Sequence, residues 1–125
     1  MSPGQICEWL AREQQQFSER RPRSRALYAA GEEHYLYGAP LHWMRRWAGG
    51  FPLYAERASG ARLWCVDGFE YVDLCLGDTG AMAGHAAAAV TTAVSAQMAR
   101  GATLMLPTED AAWVGAELAR RFGLP

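Results

Sequence analysis

Residues 3–20, PGQICEWLAREQQQFSER, place apolar side chains at helical spacing: Ile6, Leu10 and Phe17 fall near one face, with Trp9 beside it. Ser2 suits an N-cap and Pro3 the first turn. A second short helix is predicted around Arg23–Tyr35. The pattern then shortens. Residues 53–76 read as three strands: Leu53–Arg57 before ASG, Ala61–Val66 before the hairpin signal Asp67-Gly68, and FEYVDLCL over 69–76. Close turns between consecutive strands predict an antiparallel meander, not βαβ units. Helical spacing returns over 86–100, where Val90, Val94 and Met98 share a face and Gly101 ends the run. ATLMLPT is extended. Thr108 then caps a last helix with Glu109 and Asp110 in its first turn, Val114, Leu118 and Phe122 as its apolar stripe, and Gly123 and Pro125 as its stop. The pattern predicts an α+β fold.

Composition narrows the function classes. The 125 residues are 50% hydrophobic, enough for a small folded domain. A net charge of -1 gives no electrostatic case for a nucleic-acid partner. All 12 basic residues are arginine, so no side-chain amine is present for Schiff-base chemistry. Cys7, Cys65 and Cys75 are widely spaced, support no metal or dithiol site, and read as buried free thiols of a reducing cytoplasm. No signal peptide and no membrane-length apolar run is visible. HExxH and GxSxG are absent, and nothing marks Asp73 and Asp78 as an acid/base pair.

Three stretches stand out. RRPRSR, residues 20–25, reads as a solvated junction in preference to a phosphate site. GAPLHWMRRWAGGFP is a loop by its Gly and Pro content, and Trp43 and Trp47 within it need a packing partner. GDTGAMAGH, residues 77–85, follows a strand and precedes a helix. Its GxxGxxxG spacing matches neither nucleotide fingerprint. Gly77, Gly80 and Gly84 let the chain turn sharply and approach another backbone. His85, where the helix should begin, reads as a cap or packing residue before a catalytic base.

The order of these pieces resembles the N-terminal part of class III pyridoxal-phosphate aminotransferases, on the branch of the glutamate-1-semialdehyde aminomutases. The matching positions are Gly50, Pro52 and Leu53, then Gly60, Leu63, Val66-Asp67-Gly68 and Tyr71-Val72-Asp73, then Gly84-His85; LPTEDAAWVGAELARRF resembles the segment and helix that follow in the family. The resemblance covers about residues 26–125. The aminomutase pattern places Ser-Pro-Val-Arg before the first strand, where this chain has APLHWMRRW. The arginine position falls on His42 or Trp43, with Arg45 and Arg46 slightly later. The aromatic position of the family's glycine loop falls on Asp78.

The resemblance implies a fragment of a fold type I enzyme. Residues 1–38 would be an N-terminal helical segment. Residues 39–85 would be a loop and β-meander ending in the glycine loop, and residues 86–125 helices leading into a large domain beyond Pro125. It implies pyridoxal phosphate held mainly by residues absent here, a small-molecule amino donor and acceptor, and a cytoplasmic homodimer. It also implies that the glycine loop lines the substrate side. His42, Trp43, Arg45, Asp78 and Thr79 are then substrate-pocket candidates, and Gly77, Gly80, Gly84 and His85 shape the loop. Two roles stay open for Asp78: pairing with a cationic substrate group or an arginine, or bonding backbone amides in a tight turn. The alternative is a small non-catalytic interaction module whose surface is Trp43, Trp47 and Trp113.

Overall fold

A computed structural model describes residues 2–123, and the elements run α1 (Pro3–Arg20), α2 (Pro22–Gly31), a 3-10 turn (His42–Arg46), β1 (Ala55–Ser59), β2 (Arg62–Cys65), β3 (Glu70–Val72), α3 (Ala88–Met98) and α4 (Glu109–Phe122). The architecture is α+β, with one antiparallel sheet in the order β1-β2-β3. The chain divides into two compact units, the first ending at Ala87 and the second beginning at Ala88. The part expected of Pro125 in stopping α4 lies outside the described residues.

In the first unit, α1 opens on a reciprocal cap. Ser2 Oγ accepts the Gln5 amide at 3.3 Å, and Gln5 Oε1 accepts the Ser2 amide at 2.8 Å. Arg21 both ends α1 and precedes α2, where it offers no side-chain cap. The cap comes from the β2–β3 turn instead: Asp67 accepts the Arg23 amide at 2.7 Å, the Ser24 amide at 3.1 Å and the Ser24 hydroxyl at 2.5 Å. Ser24 is fully buried, as is Cys65, alongside Phe51 and Ala39. Phe17 of α1 meets Phe51 with ring centroids 5.0 Å apart. Gly49 is required beneath this contact, because a Cβ there would sit 2.2 Å from the Phe17 ring.

The arginine run joins α1 to α2 with Arg20, Arg23 and Arg25 exposed, but Arg21 is half-buried and departs from a solvated junction. Arg21 lies over the rings of Phe17 at 4.3 Å and Phe69 at 4.7 Å and donates to the Tyr71 hydroxyl at 2.8 and 2.7 Å. Arg23 reaches the Val66 carbonyl. A planar guanidinium can fill an aromatic gap and still satisfy its donors, and charge counting alone does not reveal that.

Other expectations shift. The sheet pairs Ala58 with Leu63 and Leu63 with Tyr71, and Glu56 forms a bulge in β1. The third strand stops at Val72, not Leu76, because the Asp73 carboxylate captures the amides of Cys75 and Leu76, each at 2.9 Å, and turns the chain out of the sheet. Cys7 and Cys75 are exposed; only Cys65 is buried. Trp43 and Trp47 stack on each other with centroids 6.3 Å apart. In the second unit, Thr108 stands at the N-cap of α4 but makes no side-chain cap bond, and Gly123 ends that helix in the left-handed region at φ 63°. Val90, Val94 and Met98 of α3 and Val114, Leu118 and Phe122 of α4 are exposed.

Candidate functional site

The loop that follows β3 leaves the sheet at Asp73 and returns at His85. Both ends are tied. The Asp73 amide donates to the Ala61 carbonyl at 2.8 Å, and His85 forms a two-bond bridge with Gly60, 2.9 Å in each direction. His85 is therefore three residues short of α3 and belongs to the sheet edge, not to a helix start. Gly84, at φ 88°, makes that approach possible: a Cβ would stand 3.2 Å from the Gly60 Cα.

Side chains close the same neck. His85 Nε2 lies 2.7 Å from Asp73 Oδ2, while Asp73 Oδ1 accepts the Cys75 and Leu76 amides. An ionised carboxylate can only accept, so Nε2 carries the proton of this bond. The His85 hydrogen bond, joined by the Leu76 and Cys75 amides, holds the Asp73 carboxyl below the usual carboxylate range against a smaller effect of desolvation. The two side chains are 24% and 11% exposed, so the bond is partly withdrawn from solvent.

Within the loop the backbone is strained. Leu76, Asp78 and Thr79 have φ of 49°, 51° and 89°, beside Gly77 at 63°. A β-branched residue such as Thr79 rarely enters this region. Each residue of this kind costs about 1–3 kcal/mol and persists only where its surroundings over-determine it, commonly at functional sites. Gly80 needs no positive φ and donates to the Gly77 carbonyl at 3.1 Å. Asp78 is exposed and accepts the Cys75 thiol at 3.0 Å. Among the described residues it is bonded neither to an arginine nor to a backbone amide.

The other sequence candidates form a separate group. His42, Trp43 and Arg45 share the 3-10 turn, and Arg45 lies 4.5 Å above the Tyr37 ring. No hydrogen bond, ion pair or ring contact among the described residues joins this group to Asp78 and Thr79. A groove of about 380 Å³ lies elsewhere, between α1 and residues 47–53, but the Arg21 guanidinium at its wall is already committed to Tyr71. Among the described residues no cluster of His, Cys, Asp and Glu could hold a metal, and no helix is long and apolar enough to cross a membrane. The residue missed from sequence is Asp73 as the partner of His85. Its place as the last residue of a Tyr-Val-Asp strand end, just before the loop, was the available signal.

No family model matches the chain. It is 54% identical to a glutamate-1-semialdehyde aminomutase from Pseudomonas aeruginosa, superposing with a TM-score of 0.92 over 100% of this chain and 28% of that one. A variant of that enzyme has been solved in complex with PMP. A β-phenylalanine aminotransferase from Variovorax paradoxus matches at 27% identity and a TM-score of 0.73, over 82% of this chain and 24% of that one. The glutamate-1-semialdehyde 2,1-aminomutase of Chloroflexus aurantiacus is 40% identical over 94 residues, which is 74% of this chain and 21% of the relative. The chain thus spans about a quarter of the length of the proteins it matches.

The helices, meander and glycine loop are those of the N-terminal region of fold type I, class III pyridoxal-phosphate aminotransferases. Within that class the chain belongs to the glutamate-1-semialdehyde aminomutase branch. The reading as a free-standing interaction module is not favoured.

Pyridoxal phosphate does not fit the residues present here. The chain has no lysine to hold its aldehyde.

Proposed function

We propose that this chain forms the substrate-side portion of a pyridoxal-phosphate-dependent aminotransferase or aminomutase that acts on an amino acid or amino ketone. The cofactor supplies the electron sink for amino-group transfer. The amine and the phosphate site that hold it belong to sequence beyond these residues. The chain alone is inactive, and the assembled enzyme is a cytoplasmic homodimer. Asp78 and Thr79 face the substrate from the glycine loop, and His42, Trp43 and Arg45 contribute from the 3-10 turn. A carboxylate at the loop tip favours a cationic group on the substrate and disfavours a second carboxylate nearby.

The observation that supports this reading is the 54% identity, sustained over the whole chain, to an aminomutase segment of the same shape. The test is a chimera in which residues 1–125 replace the matching segment of the Pseudomonas aeruginosa enzyme. Amino-group transfer to or from an amino-acid or amino-ketone substrate is expected. A folded chimera that binds pyridoxal phosphate fully and transfers no amino group refutes the proposal.

A further inference from the structure

We propose that Asp73 and His85 form a latch that fixes the glycine loop in its strained conformation, making both of them positioning residues for substrate recognition by Asp78 and Thr79. The functional half of this inference rests on the reading given under Proposed function.

Apolar burial is not what holds the loop. Leu74 is 91% exposed and Met82 75% exposed, and Leu76 is only half-buried, so the large apolar side chains of the loop give it a weak apolar anchor within this chain. Hydrophobic stabilisation scales with area removed from water and is small here. The loop's own turns, such as the Ala81 amide to the Leu76 carbonyl at 2.9 Å, shape its interior but do not attach it to the sheet. Attachment comes from the neck, where one carboxylate gathers the amides of Cys75 and Leu76 at the outgoing end and the imidazole of His85 at the returning end. The returning end is in turn bridged to Gly60.

Position decides the consequence. Leu76 is the first residue of the left-handed run, and its amide is one that Asp73 holds. The run continues through Gly77 and Asp78 to Thr79. A chain released at Asp73 relaxes toward ordinary φ values, and that rotation re-aims the Asp78 carboxylate. The Cys75 thiol on Asp78 Oδ1 would move with it, because the Cys75 amide is held by the same carboxylate. Neither latch residue needs to touch the substrate for the loop to present Asp78 correctly.

The latch is tested in the chimera with His85→Ala, which deletes the Nε2 donor, and His85→Gln, whose amide N–H can reach the same carboxylate. His85→Ala is expected to raise KM for the amino substrate about tenfold, with kcat changed less than about threefold and pyridoxal-phosphate loading unchanged. His85→Gln is expected to return KM to within about threefold of the parent. An unchanged KM in His85→Ala, a Gln variant no better than Ala, or loss of cofactor loading overturns the proposal. Amide exchange at Cys75 and Leu76 in the 125-residue chain gives a second readout that needs no activity. Exchange should accelerate at least about tenfold in His85→Ala and stay near the parent rate in His85→Gln. If the unsubstituted chimera is folded, loaded and inactive, the proposed function fails. Equal exchange in all three proteins rejects the latch itself.

Discussion

Removing the Asp67 carboxylate should be the most damaging polar substitution in the first unit. Helix α2 begins at Pro22 behind Arg21, a residue with no oxygen to offer the free amides of the first turn. Asp67 satisfies two of them, at Arg23 and Ser24, and also takes the Ser24 hydroxyl. Losing a cap of this kind costs about 0.5–2 kcal/mol. Losing a hydrogen bond to a charged acceptor at the fully buried Ser24 costs about 1.5–3 kcal/mol. The two overlap, since both reside on one carboxylate, so Asp67→Ala should destabilise by about 2–4 kcal/mol. Asp67→Asn keeps an acceptor and should lose about 1 kcal/mol. Urea denaturation of the 125-residue chain, followed by tryptophan fluorescence, measures both, and amide exchange at Arg23 and Ser24 localises the effect.

The pH dependence of the same residue follows in sign. Burial pushes the Asp67 carboxyl up, but the bonds from the Ser24 hydroxyl and the Arg23 and Ser24 amides, with the Arg23 charge, outweigh it and leave the value lowered. A lowered folded value means that the contribution is complete above the unfolded value of about 3.9 and is lost as pH falls through the folded one. The parent and Asp67→Asn should therefore differ most above about pH 4 and converge in stronger acid. An Asp67→Ala protein within about 0.5 kcal/mol of the parent at neutral pH refutes the account of α2 capping.

Three further outcomes are expected. Gly49→Ala drives a methyl group into the Phe17 ring and should cost about 1–3 kcal/mol, read as a lower urea midpoint; an unchanged midpoint rejects the packing described for α1. Borohydride reduction of the chain with pyridoxal phosphate, its N-terminal amine blocked, should leave no stoichiometric side-chain label, because no lysine is present; a stable label would contradict this. In the chimera, Asp78→Asn should lower kcat/KM by about 10- to 200-fold for a substrate with a cationic group while cofactor affinity holds. A loss of cofactor affinity with an unchanged donor profile would instead move the loop away from the substrate.

The first helix is legible because its signals are local, whereas α2, expected to reach Tyr35, ends at Gly31 and takes its cap from the distant Asp67. Ser2, Pro3 and the spacing of Ile6, Leu10 and Phe17 mark α1 without reference to the rest of the chain. Asp67-Gly68 likewise marks a hairpin whatever surrounds it. What sequence reading lost is what depends on partners distant in sequence. Arg21 looked solvated because its cage is assembled from Phe17, Phe69 and Tyr71 across 50 residues. The alternation in FEYVDLCL predicts a strand through Leu76, and alternation cannot register that Asp73 withdraws two amides from the ladder.

The same contrast explains the candidate site. The glycine spacing marked the loop, and resemblance placed it on the substrate side, but neither gave the conformation. That conformation is a balance between a run of unfavourable φ values and a few polar bonds at the neck. Such a balance has two consequences for the loop. It holds the tip carboxylate in one orientation at modest net stability, and it makes that orientation sensitive to residues that do not contact the ligand. Under the proposed substrate-side role of the loop, changes at Asp73, Gly84 or His85 would alter substrate choice along with changes at Asp78. Under that role, sequence positions at the neck bear on specificity alongside those at the tip.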